Sequence, residues 1–183
     1  MGQAQSALDF KLLSLTFALR DRLFPRITIL NEVGIAPGSV VLDYGCGPGG
    51  YIVPLASLVG STGTIYAQDM DPRALRSVEA IAERHGLKQV KTIQSDCKTG
   101  LPDVSVDVVL LYDIVHHLHD PDAIMEELYR VLRPDGILSF SDHHMKERDI
   151  ASYFSRHNLF AIRERHKKTC TLTKVIYGSD VHR

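Results

Sequence analysis

From residue 39 onward, two patterns of hydrophobic residues alternate along the chain: short apolar runs, and apolar residues three or four positions apart. Short apolar runs predict strands, and two of them are nearly continuous stretches of Val, Ile and Leu, as is typical of buried parallel strands. The predicted strands cover residues 39–44, 63–68, 90–94, 106–111, 136–142, 159–166 and 169–176. Apolar residues three or four positions apart predict helices at about 50–59, 72–86, 121–132 and 145–157. This order predicts an α/β fold, a doubly wound and mostly parallel seven-stranded sheet with helices on both faces.

The helix boundaries carry recognisable signals. Pro72 and Pro121 each follow an aspartate, which predicts an N-cap residue followed by proline at the first helical position. Gly86 is expected to end the second helix, and residues 133–136 to turn the chain into the fifth strand. In such a sheet the ligand lies beyond the carboxyl ends of the strands, so the functional residues are expected there.

The N-terminal part of the chain predicts a separate helical segment. Residues 6–24 carry apolar side chains at helical spacing over a wider face than one packing surface needs, and a short second helix is predicted at 26–34. We therefore divide the chain into residues 1–36, a lid or a dimer contact, and residues 37–183, the ligand-binding domain. Only residues 143–158 separate the fifth and sixth strands, so cover for the site must come from the N-terminal helices or a partner subunit.

Composition narrows the class of protein. A chain of 183 residues forms about one domain, and its net charge of −1 argues against a general nucleic-acid binder. The three cysteines are scattered and form no CxxC pair, which indicates neither a disulfide framework nor a zinc site and fits a reducing cytoplasm. The apolar run at residues 12–19 is too short to span a bilayer.

A glycine turn follows the first predicted strand. Residues 45–50, Gly-Cys-Gly-Pro-Gly-Gly, match GxGxxG, so a nicotinamide or flavin dinucleotide has to be considered. Asp43 lies two residues before the turn, where its charge would repel a pyrophosphate, and no lysine or arginine occurs from residue 27 through 72. Further acids, Asp69, Asp96 and Asp113, follow the second, third and fourth strands.

A rim of carboxylates suits a ligand with cationic groups and hydroxyls, and S-adenosylmethionine has both. Asp69 is placed to accept the two ribose hydroxyls. Asp96 is expected to accept from the adenine amine, with Met70 and Cys97 as apolar neighbours of the ring. Backbone N–H groups of the turn are expected to meet the methionyl carboxylate.

Several segments resemble the class I S-adenosylmethionine-dependent methyltransferases, and most of all the branch that includes the ubiquinone and menaquinone methyltransferases. They are residues 41–49, 66–72, 94–96, 107–110, 116–121 and 132–138. The resemblance implies the cofactor, the strand order 3-2-1-4-5-7-6 with an antiparallel last strand, and a cofactor shell of Asp43, Gly45, Gly47, Asp69 and Asp96. It does not imply the acceptor, because this branch methylates O, N, S and C centres.

Other residues are expected around the same cofactor. Cys46 is expected to pack near it, and Tyr51 either reaches the cofactor carboxylate or caps the following helix. Gly49 and Tyr112 complete the predicted cofactor-binding set. Tyr112 and Asp113 should also lie beside the transferred methyl group. A nucleic-acid base is a poor acceptor, because Tyr-Asp-Ile-Val at 112–115 replaces the Asn- or Asp-Pro-Pro-aromatic segment of enzymes that methylate base amines.

Histidines cluster after the fourth and fifth strands. His116 and His117 follow the fourth strand and are read first as turn residues, although His117 is kept as a catalytic candidate. His143 and His144 follow the fifth strand, where a neutral imidazole could take a proton from the acceptor. The cluster could instead bind a metal with Asp142, but no single element carries ligand spacing, so no metal site is predicted.

The sequence thus favours a cytoplasmic methyltransferase that acts on a small molecule, without nucleic acid or a transmembrane segment, and with a possible homodimer through the N-terminal helices. A protein side chain is the alternative acceptor. A non-catalytic module that binds S-adenosylmethionine for a partner is the third reading, and a dehydrogenase is a distant fourth.

Overall fold

The computed structural model describes residues 26–176, without the side chains of Glu147 and His157. The helix predicted over residues 6–24 lies outside this range. The strands are β1 (Val40–Tyr44), β2 (Thr64–Asp69), β3 (Val90–Gln94), β4 (Val106–Tyr112), β5 (Leu132–Ser141), β6 (Phe160–Arg165) and β7 (Cys170–Lys174). The helices are α1 (Ile27–Leu30), α2 (Ile52–Val59), α3 (Pro72–His85), α4 (Pro121–Val131) and α5 (Glu147–His157), with a 3-10 turn at Val115–His117.

The seven strands form one sheet in the order β3-β2-β1-β4-β5-β7-β6. Strands β1 to β5 are parallel to their neighbours, and β7 pairs antiparallel with both β5 and β6. The predicted fold class and strand order are confirmed. Because the strand order reverses beside β1, a crevice opens there at the carboxyl edge of the sheet.

Two predicted boundaries differ from the structure by four residues, and the others by at most two. The helix predicted at 26–34 shrinks to Ile27–Leu30, because residues 31–34 form turns that end at Gly34 with φ +75°. Strand β5 begins at Leu132, four residues earlier than predicted, because Leu132 pairs with Val106 across an irregularity in the β4–β5 register.

The predicted helix caps are confirmed. The Asp71 side chain accepts from the Arg73 amide at 2.8 Å ahead of α3, and the Asp120 side chain accepts from the Ala123 amide at 3.0 Å ahead of α4. Each cap satisfies one of the amide donors that a helix N-terminus leaves without a helical partner. Gly86 ends α3 in the left-handed conformation, with φ +64°.

Two apolar clusters cover the two faces of the sheet. One packs Leu42 and Phe140 against α4 and α5, and the other packs Val41 and Leu110 against α2 and α3. Neighbouring residues of β1 belong to the clusters on opposite faces of the sheet, because side chains alternate between the two faces along a strand. Within residues 26–176, no helix has the length and apolarity needed to cross a bilayer.

A buried carboxylate anchors α4 to the loop before β4. Glu127 Oε1 accepts from the amide and the hydroxyl of Thr99 at 2.8 and 2.6 Å, and Arg130 donates to both carboxylate oxygens at 2.8 and 2.9 Å. Burial alone would raise the pKa of Glu127, but the hydrogen bonds from Arg130 and Thr99 outweigh it and hold the pKa at about 2.

Replacing Glu127 by Ala should lower the free energy of unfolding by about 2–3 kcal/mol at pH 7, because it removes charge-assisted hydrogen bonds and leaves buried donors without partners. Since the folded pKa lies below the ordinary value of 4.5, this stabilisation is present above pH 4.5 and is lost as the pH falls towards 2. Urea unfolding at pH 7 and pH 3 measures it, with the exposed Glu126→Ala as control. An equal cost for both variants would contradict the prediction.

A second carboxylate ties the two ends of the described chain together. Glu32 Oε2 accepts from the Lys168 amide at 3.1 Å and from the amide and hydroxyl of Thr169 at 3.0 Å each. These donors lie in the turn between β6 and β7, whereas Glu32 directly follows α1. The C-terminal hairpin therefore fixes the position of the N-terminal helix.

Candidate functional site

The carboxyl ends of the parallel strands surround a cavity of about 1060 Å³. It contains most of the residues that the sequence singled out. These are Asp43, Gly45, Cys46, Gly47, Tyr51, Asp69, Met70, Asp96, Tyr112, Asp113, His117, His143 and His144. These residues lie at or after the carboxyl ends of five different strands, and they meet at the edge of the sheet where ligands bind in this fold class.

The glycine turn shapes one wall of the cavity. Gly45 has φ +75°, and a Cβ atom there would overlap the Ile114 side chain. Gly47 has φ +53°, and a Cβ there would meet no atom within 4 Å. Both backbones lie in the left-handed region that favours glycine. Gly45 therefore allows close packing, while Gly47 exposes bare backbone to the open space of the cavity.

The amides of Gly45, Cys46 and Gly47 already donate hydrogen bonds within the chain. Those of Gly45 and Cys46 both donate to the Gln68 carbonyl oxygen at 2.9 Å. That of Gly47 donates to Asp69 Oδ2, also at 2.9 Å. A ligand carboxylate that took these amides would have to break those bonds. The predicted contact of the cofactor carboxylate with the turn would therefore compete with these internal hydrogen bonds at Gly45, Cys46 and Gly47.

Asp43 is the electrostatic centre of the site. The residue is 3% exposed, and its Oδ2 atom has no hydrogen-bond partner within residues 26–176. The pKa of Asp43 is raised to about 7, because the effect of burial, together with a smaller one from the Asp69 charge, outweighs the lowering by the Arg26 guanidinium. A buried carboxylate oxygen without a partner is costly, so it is a strong candidate to receive a cationic ligand group.

Asp69 and Asp96 lie at the ends of the next two strands. Asp69 Oδ1 accepts from the Asp71 amide at 2.9 Å, which together with the Gly47 contact fixes the carboxylate. Each oxygen of a carboxylate has two lone pairs, so both can still accept from a ligand hydroxyl. Asp96 is exposed to the cavity, and the Tyr44 hydroxyl holds its loop by donating to the Asp96 carbonyl oxygen at 3.3 Å.

Gln68 is a supporting residue that sequence reasoning missed. Its Oε1 atom accepts from the Gly45 amide at 3.1 Å, and its Nε2 atom donates to the Ser95 carbonyl oxygen. The side chain thus joins the glycine turn to the loop after β3. A polar residue inside an apolar strand, directly before Asp69, is the signal that could have indicated it.

Arg26 is a second missed residue. It lines the cavity, is only 9% exposed, and places its guanidinium 4.5 Å from the ring centroid of Tyr51. Residues 27–72 contain no lysine or arginine, as noted for the sequence. Arg26 lies one position before that range and was therefore not considered. The cavity therefore contains a cation that the chain brings in from before α1.

Two predicted cofactor residues do not line the cavity. A Cβ on Gly49 would approach Val78 and Ile81 at 3.0 and 3.1 Å, so this glycine permits close packing of the turn on α3. Cys97 packs against the core cluster that α4 covers, and its amide donates to Ser95 Oγ at 3.2 Å. Their predicted contact with the cofactor stays a prediction.

Cys46 and Tyr112 line the cavity as buried residues. Burial, followed by the charge of Asp43, raises the pKa of the Cys46 thiol well above its usual range, so the thiol stays protonated. The Tyr112 hydroxyl lies 2.7 Å from Ser139 Oγ, and burial raises the pKa of that hydroxyl as well. Tyr112 therefore offers the cavity its ring, which stands edge-on to the Tyr51 ring at 5.2 Å.

Two aspartate–histidine pairs follow β4 and β5. Asp113 Oδ1 lies 2.7 Å from His143 Nδ1 and accepts from the His143 amide at 3.0 Å. His116 Nδ1 lies 3.2 Å from Asp142 Oδ2. Because a carboxylate can only accept from Nδ1 of His143, the neutral form of this imidazole carries its proton on Nδ1 and has a lone pair on Nε2. His143 therefore has the tautomer that a proton acceptor needs.

The remaining histidines extend these pairs into a row of neighbouring rings, which are tilted or edge-on to one another. Ring centroids lie 4.1 Å apart for His116 and His117, 4.6 Å for His116 and His144, and 3.9 Å for His143 and His144. Burial and the neighbouring imidazoles lower the pKa of His117. No three His, Cys, Asp or Glu side chains within residues 26–176 are arranged to hold a metal ion.

Comparison with known proteins places the chain among methyltransferases. A family model described as a methyltransferase domain matches residues 35–180. Among curated proteins, an arsenite methyltransferase of Aquipseudomonas alcaligenes is 35% identical over 57% of this chain and 33% of its own length. A demethylmenaquinone methyltransferase of Lactobacillus johnsonii is 30% identical over 61% of this chain and 46% of its own length. The chain thus spans about a third to a half of these relatives.

A solved structure covers more of the chain. The crystal structure of a SAM-dependent methyltransferase from Aquifex aeolicus superimposes with a TM-score of 0.78 and 26% identity, over 85% of this chain and 93% of that one. The likeness therefore extends over nearly the whole of that protein, including the strand order described above.

Proposed function

Because this chain belongs to the class I S-adenosylmethionine-dependent methyltransferase family, we propose that it binds S-adenosylmethionine in the cavity and transfers a methyl group to a small-molecule acceptor. Asp43 supplies the observation that carries the proposal, since a buried carboxylate oxygen without a partner in the described chain is suited to an ammonium group.

The other residues of the cavity fit the same cofactor. Asp69 and Asp96 would accept from the ribose hydroxyls and the adenine amine, and the exposed Met70 side chain would cover the adenine ring. Gly47 leaves space where a side chain would collide with a ligand. The arrangement of these acids matches a ligand that carries positive charge and hydroxyls, and it would repel a pyrophosphate.

When bound, S-adenosylmethionine supplies an electrophilic methyl group on a sulfonium sulfur. The residues beyond β4 and β5 would act on the acceptor. Ile114 and Leu118 give that side of the cavity apolar walls, and His143 Nε2 would take the proton that the nucleophile loses. Asp113 holds the imidazole in the required tautomer and stabilises it once it is protonated. Much of the remaining rate acceleration would come from orienting the nucleophile.

Two observations favour a small acceptor. The cavity has the volume of a pocket for a cofactor and a small molecule together. The curated relatives are named for arsenite and demethylmenaquinone, which are small molecules. A protein side chain, and a binding role without catalysis, remain the competing functions that the experiment must separate.

The test is transfer of tritiated methyl groups from S-adenosylmethionine into a cell extract, sorted by molecular size. We expect label in small organic molecules, and no label with the Asp69→Ala variant or with excess S-adenosylhomocysteine. Label in protein would replace the small acceptor by a protein side chain. If the chain binds S-adenosylhomocysteine tightly but transfers no label to any extract, the binding role is correct and the enzymatic proposal is wrong.

A further inference from the structure

Two aspartates tie the loop after β4 to the loop after β5. Asp113, directly after β4, accepts through Oδ1 from the amide of His143 and lies against the ring of the same residue. Asp142, directly after β5, lies against the ring of His116 in the turn after β4. Each loop therefore supplies the carboxylate that holds a histidine of the other loop. The proposed function uses the first pair and gives the second no role.

We propose that His116 binds the methyl acceptor through Nε2, that Asp142 positions this imidazole, and that the acceptor carries a second hydrogen-bond donor besides its nucleophile. This inference rests on the proposed function, because it adds a second contact to the same acceptor. It defines the chemical class of the acceptor as a small molecule with two hydroxyl or N–H groups, of which one is methylated and the other is bound.

Asp142 determines which nitrogen of His116 accepts a hydrogen bond. Its side chain is fully enclosed, and Oδ1 accepts from the His144 amide at 2.9 Å. Its Oδ2 atom lies 3.2 Å from His116 Nδ1. Since a carboxylate can only accept, the neutral imidazole of His116 carries its proton on Nδ1 and has a lone pair on Nε2. The buried carboxylate thus keeps Nε2 available as an acceptor.

The surroundings of His116 leave Nε2 for a ligand. The residue lines the cavity with 34% of its side chain exposed, and Nε2 has no hydrogen-bond partner among the residues that the structure describes. The rings of His117 and His144 flank it at 4.1 and 4.6 Å and restrict its rotation. Ile114 and Leu118 line the same side of the cavity. An oriented lone pair among apolar walls is suited to a hydroxyl or N–H group of a small molecule.

The two histidine pairs fit different roles. The carboxylate lies 2.7 Å from the ring nitrogen of His143 but 3.2 Å from that of His116, and a shorter charge-assisted contact stabilises a protonated ring better. A charge on His116 would also lie beside the two further imidazoles that flank it. His143 therefore fits proton removal, whereas His116 fits a hydrogen bond that persists through the reaction. Such a uniform contact lowers KM and leaves kcat unchanged.

Asp142→Asn tests the positioning role without any acceptor. The asparagine oxygen can still accept from the His144 amide, while its NH2 group would donate to His116 Nδ1 and move the ring proton to Nε2. Heteronuclear NMR of the histidine rings at about pH 8 should show the proton on Nδ1 in the wild type and on Nε2 in the variant. The same tautomer in both proteins would overturn the inference.

Methyl transfer tests the contact with the acceptor. The acceptor is supplied as the low-molecular-weight fraction of the cell extract in a dilution series, so that the half-saturating amount reports KM and the plateau reports kcat. Asp142→Asn and His116→Ala should each raise the half-saturating amount by about 10-fold and change the plateau by less than about 3-fold. His116→Gln should recover most of this loss, because its side-chain oxygen can accept a hydrogen bond.

Asp135→Asn is the matched control, since it makes the same substitution at an exposed aspartate near the opposite end of β5. Its kinetics should equal those of the wild type, and every variant should bind S-adenosylhomocysteine within about 3-fold of the wild type. A lower plateau without a change in half-saturation would overturn the inference, and so would equal losses for His116→Ala and His116→Gln.

Failure of the inference and failure of the proposed function are distinguishable. If the wild type transfers label and the variants show its half-saturation, the inference alone is wrong. If the wild type transfers no label from S-adenosylmethionine to any fraction, the proposed function fails and the acceptor contact fails with it.

Discussion

Asp43→Asn should weaken binding of S-adenosylhomocysteine by about 100-fold, and it should also raise the melting temperature of the ligand-free protein at pH 8. The first effect follows from the loss of the buried carboxylate at the end of β1, which is the proposed partner of the ammonium group. The second follows from the cost of burying that charge. One substitution should thus remove binding and strengthen the fold.

The sign of the stability effect comes from the raised pKa of Asp43. The folded value of about 7 lies above the ordinary 3.8, so ionisation is disfavoured in the folded protein. Its contribution to stability is complete below about pH 4 and is lost as the pH rises through 7. At about 1.36 kcal/mol for each unit, the penalty at pH 8 is at most about 4 kcal/mol. Asparagine has no such penalty, since it carries no charge.

Thermal unfolding without ligand at pH 4 and pH 8 measures the effect. Asp43→Asn should melt several degrees above the wild type at pH 8 and close to it at pH 4. In the wild type, affinity for S-adenosylhomocysteine should rise from pH 6 to pH 8 as Asp43 ionises, and this rise should be absent in the variant. A variant that binds as tightly as the wild type would show that Asp43 is not the ammonium partner.

His143→Gln should lower kcat by about 100- to 1000-fold with the acceptor that the labelling experiment identifies, because a general base typically contributes that much. Asp113→Asn should give a loss of similar size, since an amide no longer holds the Nδ1 proton of His143 in place. Asparagine tolerates the left-handed backbone at position 113, where φ is +53°, so the second variant should fold normally.

Binding of the cofactor product S-adenosylhomocysteine is the control measurement for both variants. Their affinity for S-adenosylhomocysteine should stay within about 3-fold of the wild type, because neither side chain is assigned to the cofactor. The exposed His85→Gln, far from the cavity lining, should leave kcat unchanged. The double variant should be no slower than the slower single one, since the two residues act as a unit. Losses that multiply would separate Asp113 from His143 and contradict the pair.

Most element boundaries could be predicted because they follow from local signals, whereas the strand order was implied by the resemblance to the methyltransferase family. Caps such as Asp71 and Asp120 depend on residues next to each other in sequence. Of the two boundaries that differ by four residues, one depends on a distant partner. The start of β5 follows from the pairing of Leu132 with Val106, which the turn residues after Leu132 do not reveal.

The same difference between local and long-range signals applies to the residues of the candidate site. The acids at strand ends were found because the fold rule alone brings Asp43, Asp69 and Asp96 to one edge. Arg26 was missed because nothing near it in sequence marks it, and its stacking on Tyr51 exists only in three dimensions. The spacing of Gly49 is that of a ligand-binding glycine, yet its backbone packs on α3.

The hydrogen bonds from residues 168 and 169 to Glu32 have a consequence for the synthesis of the protein. A chain still emerging from the ribosome exposes α1 long before the β6–β7 hairpin has left the exit tunnel. Until then nothing from that hairpin anchors Glu32, nor the nearby Arg26. The parallel strands that contribute the acids can pair earlier, so the acidic half of the cavity can form during translation. The side of the cavity that Arg26 lines should be completed only once that hairpin has emerged and folded, so the two sides of the cavity should form at different stages of synthesis.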